Sequence, residues 1–265
     1  MCAAIVAYRR AGYERFDTER YPRRAMTTIS AGSERIRTPE GELEAHLAIP
    51  AAGSGPGIVL LHEIFGVNDY VRDAAQRLAE LGYVVLAPDL YWRTQPGLEL
   101  NHDDAGLEAG MAASQKLDVT AAVGDALDTL EVLRAMAAVT DRRAGVLGFC
   151  LGGTLAFRAA ADGDPDVAVV YYGAGVPDAL AAANRITCPT IMHWGGADPF
   201  IARERVDAVA AMAAGHDAIE CHVHEGAGHA FDNHRAPRFH VPEARAAAWR
   251  STAAFLAREL PAAGA

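Results

Sequence analysis

The 265-residue sequence lacks several features that would define other classes of protein. It has no run of about 18 consecutive apolar residues, so a membrane-spanning helix is not expected. Its first 25 residues lack the continuous apolar segment of a secretory signal. It has only four cysteines and no C-x-x-C pair, which argues against a disulfide framework. Together these absences predict a cytoplasmic protein in a reducing compartment, with no membrane partner.

The sequence also lacks an excess of positively charged residues over negatively charged ones. Lys and Arg total 24 against 34 Asp and Glu, which gives a net charge of −10 at pH 7. Without a basic face, nucleic acid is not an expected partner. The apolar fraction of 51% and charged fraction of 22% are typical of a soluble globular protein. We expect a small-molecule substrate and a monomer or weak homo-oligomer.

The pattern of apolar residues indicates the fold. Residues 1–29 show no sustained period and are predicted to be a poorly ordered N-terminal extension, whereas residues 30–265 are predicted to form one domain. Polar and apolar residues alternate on both sides of a turn, which predicts an antiparallel hairpin, and continuous apolar runs predict buried strands. The hairpin strands are expected at 34–38 and 42–49, and the buried strands at 57–62, 83–87, 145–147, 167–172, 190–194 and 218–224. Helical patterns between these strands indicate an α/β fold with a mostly parallel central sheet and helices on both faces.

One stretch carries the main chemical signal. The sequence Gly148-x-Cys150-x-Gly152 follows a short apolar strand and precedes an Ala-rich helix. Small residues two before and two after a cysteine predict a sharp strand-to-helix turn of the kind called a nucleophile elbow in α/β-hydrolases, with Cys150 in the usual serine position. The following helix would point its N-terminus at the sulfur and offer the Leu151 backbone N–H to an oxyanion.

Two further residues complete a predicted catalytic triad. Asp198 follows the strand at 190–194, and His229 follows the strand at 218–224. Since chemistry in open α/β sheets sits at the carboxyl ends of the strands, Asp198 and His229 are expected to converge on Cys150. The histidine would take the thiol proton, and the carboxylate would hold the imidazole in one tautomer.

Five motifs together resemble the dienelactone hydrolase family over roughly residues 30–265. They are Gly148-Phe149-Cys150-Leu151-Gly152-Gly153, His62-Glu63-Ile64-Phe65-Gly66, Ala87-Pro88-Asp89-Leu90-Tyr91, Tyr171-Tyr172-Gly173 and Gly228-His229-Ala230-Phe231. The resemblance implies a Cys-Asp-His hydrolase of esters or lactones that uses no metal and no cofactor. It also implies that Glu63 lies near the resting thiol and accepts its proton when substrate arrives. The Ile64 backbone N–H would be the second oxyanion donor, and Phe65 and Tyr171 would line the substrate site.

The family also binds the carboxylate of its lactone with arginines. Arg93 occupies the first of these positions and is predicted to anchor an anionic substrate. The second arginine would be expected four residues after His229, where this sequence has Asn233. A carboxylated enol-lactone is therefore the favoured substrate, with a weaker clamp and a wider substrate range than two arginines would give.

Several other interpretations stay open at this point. The protein could be a general carboxylesterase of neutral esters on the same scaffold, or a small-molecule-binding member of the fold without catalysis. His222 and His224, with His229, His234 and His240 nearby, could suggest a metal site, but alternation in an edge strand explains the first two better. A thiol redox role for Cys150 is disfavoured because no resolving cysteine lies close to it in the sequence.

Overall fold

The computed structural model describes residues 28–262 of the chain. The expected extension over residues 1–29 lies almost entirely outside this range and stays a prediction. Within the range, eight strands and six α-helices alternate after an initial hairpin, and two short 3₁₀ segments, Val176–Asp178 and Leu180–Arg185, lie between β6 and β7. The strands are β1 (Ser30–Thr38), β2 (Gly41–Ile49), β3 (Gly55–Leu61), β4 (Val84–Pro88), β5 (Val139–Phe149), β6 (Ala168–Tyr171), β7 (Thr190–Gly195) and β8 (Ile219–His224). The helices are α1 (Asp69–Glu80), α2 (Asp104–Ser114), α3 (Val119–Ala135), α4 (Leu151–Asp162), α5 (Arg203–Ala214) and α6 (Pro242–Glu259).

All eight strands form one sheet, in the order β1-β2-β4-β3-β5-β6-β7-β8. The hairpin strands β1 and β2 are antiparallel, and β2 is antiparallel to β4. From β4 to β8 every neighbouring pair is parallel. The predicted hairpin, the mostly parallel sheet and the α/β-hydrolase fold class are therefore confirmed.

The sheet is buried on both faces because its central strands are apolar throughout. In β3, Ile58 and Leu60 belong to a core cluster that includes α1 and α6. The alternate residues Val59 and Leu61 belong to a second cluster that includes α3, α4 and α5. Successive residues of these strands face opposite sides of the sheet, and both sides are buried. For this reason the parallel strands have continuous apolar runs and not alternating ones. No helix within residues 28–262 is both long and apolar enough to cross a membrane.

A buried histidine links β7 to its edge neighbour β8. The His193 side chain is fully buried, its Nδ1 lies 3.3 Å from His224 Nε2, and its Nε2 lies 3.0 Å from Thr252 Oγ1 in α6. Burial, together with the nearby His224 and His222, lowers the pKa of His193 well below the ordinary histidine value. His193 is therefore neutral in the folded protein over a pH range in which the unfolded chain binds a proton.

We expect this difference to weaken the fold in acid. Below about pH 6.5 the unfolded His193 takes up a proton that the folded state excludes, so stability falls by up to ~1.4 kcal/mol per pH unit. His193→Gln should be less stable than wild type at pH 8, because its hydrogen bonds to His224 and Thr252 are altered. It should also lose less stability between pH 6.5 and 5. Urea unfolding at several pH values measures both effects, and equal pH slopes in the two proteins would contradict the assignment.

Candidate active site

The Cys150 turn has the strained geometry that its glycines predict. Cys150 lies between the end of β5 and the start of α4 with φ 53° and ψ −112°, in the positive-φ region that side chains rarely adopt. A Cβ at Gly148 would overlap the Gly152 carbonyl oxygen, and a Cβ at Gly152 would overlap the Leu61 carbonyl oxygen. Only glycine lets the end of the strand and the start of the helix approach this closely, and the approach leaves Cys150 at the tip of the turn.

The structure brings the three predicted triad residues together. His229 Nε2 lies 3.1 Å from Cys150 Sγ, and His229 Nδ1 lies 2.8 Å from Asp198 Oδ2. The other oxygen of Asp198 accepts the backbone N–H groups of Phe200 and Ile201, at 2.8 and 3.1 Å. One oxygen of Asp198 therefore accepts hydrogen bonds from its own loop, and the other contacts the imidazole. The hydrogen bonds from the loop fix the orientation of the carboxylate toward His229.

The electrostatics of the pair suit proton transfer. Burial lowers the pKa of the His229 imidazole, but the Cys150 sulfur and the Asp198 carboxylate outweigh burial and raise it to about 10. A raised pKa makes the imidazole a stronger base for the thiol proton, and its Nδ1 faces Asp198 while its Nε2 faces the sulfur.

The two predicted oxyanion donors lie on neighbouring elements. Leu151 is the first residue of α4, so its N–H has no acceptor within the helix. The loop carrying Ile64 is tied to the same helix, because Gly152 N–H donates to the His62 carbonyl at 3.0 Å. His62 is itself fixed, since its Nε2 accepts the Leu90 N–H at 3.1 Å. The structure thus brings the Ile64 loop and Leu151 to one side of Cys150.

Glu63 is buried in the same region but does not contact the thiol. Its Oε2 accepts Asn233 Nδ2 at 2.7 Å and lies 3.7 Å from His102 Nε2, and its Oε1 lies 3.5 Å from the Tyr172 hydroxyl. Within residues 28–262 the hydrogen bond of the Cys150 thiol goes to His229, and none joins it to Glu63. In this arrangement the imidazole is the hydrogen-bond partner of the thiol, and the expectation that Glu63 accepts the thiol proton when substrate arrives stays a prediction.

Arg93 is paired with two carboxylates of the protein. Its Nη1 and Nη2 contact the buried carboxylate of Asp125 in α3, the second at 3.0 Å, and its Nε donates to Glu40 at 2.6 Å. Trp92 reinforces the cluster by donating Nε1 to Asp125 at 3.0 Å. Each of the three guanidinium nitrogens thus contacts a carboxylate of the protein itself. These ion pairs were not expected, because the partners lie on elements that no local sequence pattern connects to Arg93, and the anion-binding role of Arg93 stays a prediction.

The other predicted lining residues are mostly supports. Tyr171 is fully buried, its hydroxyl lies 2.7 Å from Thr252 Oγ1, and burial raises its pKa, so contact with substrate stays a prediction. Asn233 is also fully buried and donates to Glu63, so it supports a carboxylate inside the protein and does not face substrate. Phe65 is nearly buried and stacks on His102, with 4.4 Å between ring centroids.

Three residues near the triad were missed by the sequence analysis. Phe200 is 59% exposed, and its ring lies edge-on to His229 with centroids 5.3 Å apart, so it offers an apolar surface beside the catalytic imidazole. Tyr172 adopts φ 37° and places its ring 5.2 Å from that of His229. His102 bonds to Asn233 from an irregular segment. Phe200 could have been expected near the site because it lies two residues after Asp198, and Tyr172 because it belongs to the Tyr-Tyr-Gly motif. No sequence pattern indicates His102.

The alternative of a metal site finds no support in the described part of the chain. No group of three or more His, Cys, Asp or Glu side chains is arranged there to hold a metal ion. His222 stacks on His193, with 5.3 Å between ring centroids, and His224 bonds to His193. These histidines therefore pack against one another along β7 and β8.

Comparisons with known proteins show which family the chain belongs to. The model of the dienelactone hydrolase family matches residues 43–260. The chain belongs to this family. It is 36% identical to a carboxymethylenebutenolidase of a Pseudomonas species over 227 residues, which is 83% of this chain and 92% of that protein. It is 34% identical to a carboxymethylenebutenolidase of Rhodococcus opacus over 241 residues, which is 86% of this chain and 91% of that protein.

Solved structures share the fold. A dienelactone hydrolase from Anabaena variabilis matches with a TM-score of 0.66 and 18% identity, covering 88% of this chain and 99% of that one. A cold-adapted esterase from an Arctic intertidal metagenomic library matches with a TM-score of 0.65 and 18% identity, covering 88% and 94%. At this identity the two structures show the dienelactone hydrolase family's fold and no more.

The ion pairs of Arg93 generate a prediction. Arg93→Ala leaves the Asp125 carboxylate buried without its cation, so we expect a loss of about 1–3 kcal/mol in unfolding free energy, reduced because Arg93 is partly exposed. Arg93→Ala/Asp125→Asn should recover part of that loss, because the unpaired charge is gone. In kcat/KM the single variant should affect a carboxylated lactone and a neutral aryl ester equally. A selective loss on the carboxylated substrate at unchanged stability would support the anchor role.

A second prediction concerns thiol reactivity. Burial raises the pKa of Cys188, and raises that of Cys221 to about 11, whereas Cys150 is partly exposed beside His229. Since the thiolate is the reactive form, limiting iodoacetamide at pH 7 should label Cys150 well before the other two. Peptide mass spectrometry of wild type and Cys150→Ala measures this, with Cys2 read separately because it lies outside the described residues. Equal labelling of Cys150 and Cys221 would contradict the assignment.

Proposed function

We propose that this protein is a cysteine hydrolase that cleaves an ester or lactone bond through Cys150, His229 and Asp198. The observation that carries the proposal is the unbroken contact chain from sulfur to carboxylate, at 3.1 Å and 2.8 Å, in a member of the dienelactone hydrolase family. The carboxymethylenebutenolidase relatives support a lactone or ester as the substrate class. Three residues with mutually consistent geometry support catalysis over a binding role.

In the proposed reaction the Cys150 thiolate attacks the substrate carbonyl carbon. The carbonyl π electrons move to oxygen, and the Leu151 and Ile64 backbone N–H groups bind the resulting oxyanion. When the tetrahedral intermediate collapses, the C–O bond breaks and the leaving oxygen takes a proton from His229. His229 then accepts a proton from water as the water attacks the thioester, which releases the carboxylic acid and restores the thiolate–imidazolium pair.

Glu63 is assigned a supporting part in this proposal. When the sulfur turns away from His229, Glu63 would be the carboxylate that accepts the thiol proton. Its burial supports this assignment, as does Tyr172, whose hydroxyl lies 3.5 Å from Glu63 and whose ring lies 5.2 Å from that of His229. Glu63 and the triad therefore border the same small volume.

A second candidate substrate class follows from the charges. Arg93 is held by Asp125 and Glu40, position 233 is a buried asparagine, and Phe200 exposes an apolar ring next to His229. These observations favour neutral esters with an apolar group over a carboxylated lactone. A matched assay with a carboxylated enol-lactone and a neutral p-nitrophenyl ester of similar size separates the two classes.

We also propose a cytoplasmic location. Cys150, Cys188 and Cys221 are free thiols, which supports a reducing compartment. Cell fractionation with an antibody against the natural protein tests this assignment.

The triad assignment predicts non-additive losses. Cys150→Ala and His229→Ala should each lower kcat by roughly 10³-fold or more, and the double variant should lose little beyond either one, because both residues serve one step. Asp198→Asn should lower kcat by orders of magnitude, because the amide no longer fixes the imidazole tautomer.

Steady-state kinetics on the better of the two substrates measures these losses. Thermal unfolding and circular dichroism provide the control for folding, which matters for Asp198 because it also accepts two backbone N–H groups. Near-wild-type turnover in Cys150→Ala would refute the covalent mechanism. Additive losses would show that Cys150 and His229 act in separate steps.

A further inference from the structure

A buried histidine outside the triad lies against Glu63. His102 precedes α2, and its side chain is only 7% exposed. Its ring packs on Phe65 at 4.4 Å and lies edge-on to Tyr70 at 6.3 Å. Its Nε2 lies 3.7 Å from Glu63 Oε2, too far for a hydrogen bond but close enough for a strong charge interaction.

The surroundings of His102 require its Nε2 to be a hydrogen-bond acceptor. Asn233 Nδ2 donates to Nε2 at 2.8 Å, and Asn68 Nδ2 approaches it at 3.4 Å. Neither amide is free to flip, because each amide oxygen accepts a backbone N–H: Asn233 from Arg235 at 2.9 Å, and Asn68 from Val71 at the start of α1. Two oriented donors therefore meet one nitrogen, so that nitrogen carries the lone pair and the ring proton is on Nδ1.

One amide joins this histidine to the carboxylate. The same Nδ2 of Asn233 that donates to His102 also donates to Glu63 Oε2 at 2.7 Å. A proton on His102 Nε2 would place an N–H donor opposite the two amide N–H donors, which is repulsive. The positive charge would also attract Glu63 Oε2. Glu63 would then exchange its bond from Asn233 for one from the imidazolium, and its position and charge balance beside the thiol would change.

Solvent protons can reach His102. The residue borders an open cleft of about 440 Å³ whose lining includes none of the triad residues. The charged groups around this cleft are the carboxylates of Asp69, Glu99 and Asp103 and the guanidinium groups of Arg72 and Arg235. From inside the protein His102 faces Glu63 and the Tyr70 ring. Four carboxylates and two guanidinium groups thus surround His102, and a proton taken up by its ring would change the charge balance of this region.

We propose that His102 is a positioning residue for Glu63, and that only its neutral form holds the carboxylate through Asn233. The proposal rests on the proposed function, because it assumes that Glu63 assists the Cys150 thiol. Protonation of His102 would reposition Glu63 and slow the enzyme in weak acid.

Two substitutions of His102 separate this role from a purely structural one. His102→Gln places an amide oxygen near the Nε2 position, so it can still accept from Asn233 but cannot be protonated. His102→Asn has a side chain too short to reach Asn233. We expect His102→Gln to keep kcat/KM within about 3-fold of wild type at pH 8 and to lose less activity between pH 7 and 5. We expect His102→Asn to lose roughly 10-fold or more at every pH, because buried donors are left unsatisfied.

Two further variants serve as controls. Asn233→Ala removes the link, so adding His102→Gln to it should no longer alter the pH profile. His216→Gln changes a histidine that bonds to the Ala183 carbonyl, outside the site, and should leave the profile as in wild type. Thermal unfolding of each variant shows that the comparisons are made on folded protein.

The rate of Cys150 alkylation by iodoacetamide gives a readout that needs no substrate. Over pH 5 to 8 it should change less steeply in His102→Gln than in wild type. Identical alkylation and kcat/KM profiles in wild type and His102→Gln would overturn the positioning role even if Cys150→Ala abolishes turnover. Full turnover by Cys150→Ala would instead overturn the proposed function, while the alkylation profiles would still decide whether His102 acts on the thiol.

Discussion

The active site depends on one close approach of backbone to backbone. Where β5 ends and α4 begins, Gly148, Gly152 and Gly153 leave no room for a Cβ, because carbonyl oxygens of Gly152, Leu61 and Tyr171 occupy that space. The chain can turn there only by forcing Cys150 to φ 53°, and the Cys150 N–H donates to the Tyr171 carbonyl at 3.0 Å to hold it. Strain of this kind persists only when the surroundings fix it, and here both neighbouring strands do so. The sulfur-bearing residue thereby lies directly before the N-terminus of α4.

Behind the triad, buried polar groups hold the returning loops. Asp232, three residues after His229, is fully buried, accepts Tyr70 Oη at 2.8 Å, and pairs with Arg77 of α1 at 2.8 Å. Tyr70 Oη lies 3.4 Å from Tyr172 Oη, and Tyr172 in turn reaches Glu63. A continuous set of contacts therefore runs from α1 to the Glu63 carboxylate. Because buried polar groups are costly when unpaired, this set constrains the loop that carries His229.

The charge balance of the site differs from what the family resemblance implies. An arginine is available to a substrate carboxylate only if the protein does not neutralise it. Here Asp125 and Glu40 each form an ion pair with Arg93, and Asn233 holds Glu63 with a neutral amide, shared with His102. The two parts of the site are thus separable: the Cys150, His229 and Asp198 contacts match the resemblance, whereas the pairing of Arg93 and the neutral Asn233 differ from the two arginines that the resemblance implies.

The sequence by itself determined the sheet, the elbow and the triad. Continuous or alternating runs of apolar residues indicate which strands are buried. In a parallel sheet the residues that follow each strand lie at one edge, so Cys150, Asp198 and His229 could be placed together from their order alone. Tertiary structure decided the partners. Whether Arg93 is free depends on Asp125, 32 residues away on α3, and the orientation of His102 depends on Asn233, 131 residues away. Local patterns report which face of an element is buried. They do not report which side chain of a distant element neutralises a charge or fixes a tautomer, because hydrogen bonds and ion pairs depend on atomic positions that only the packed fold defines.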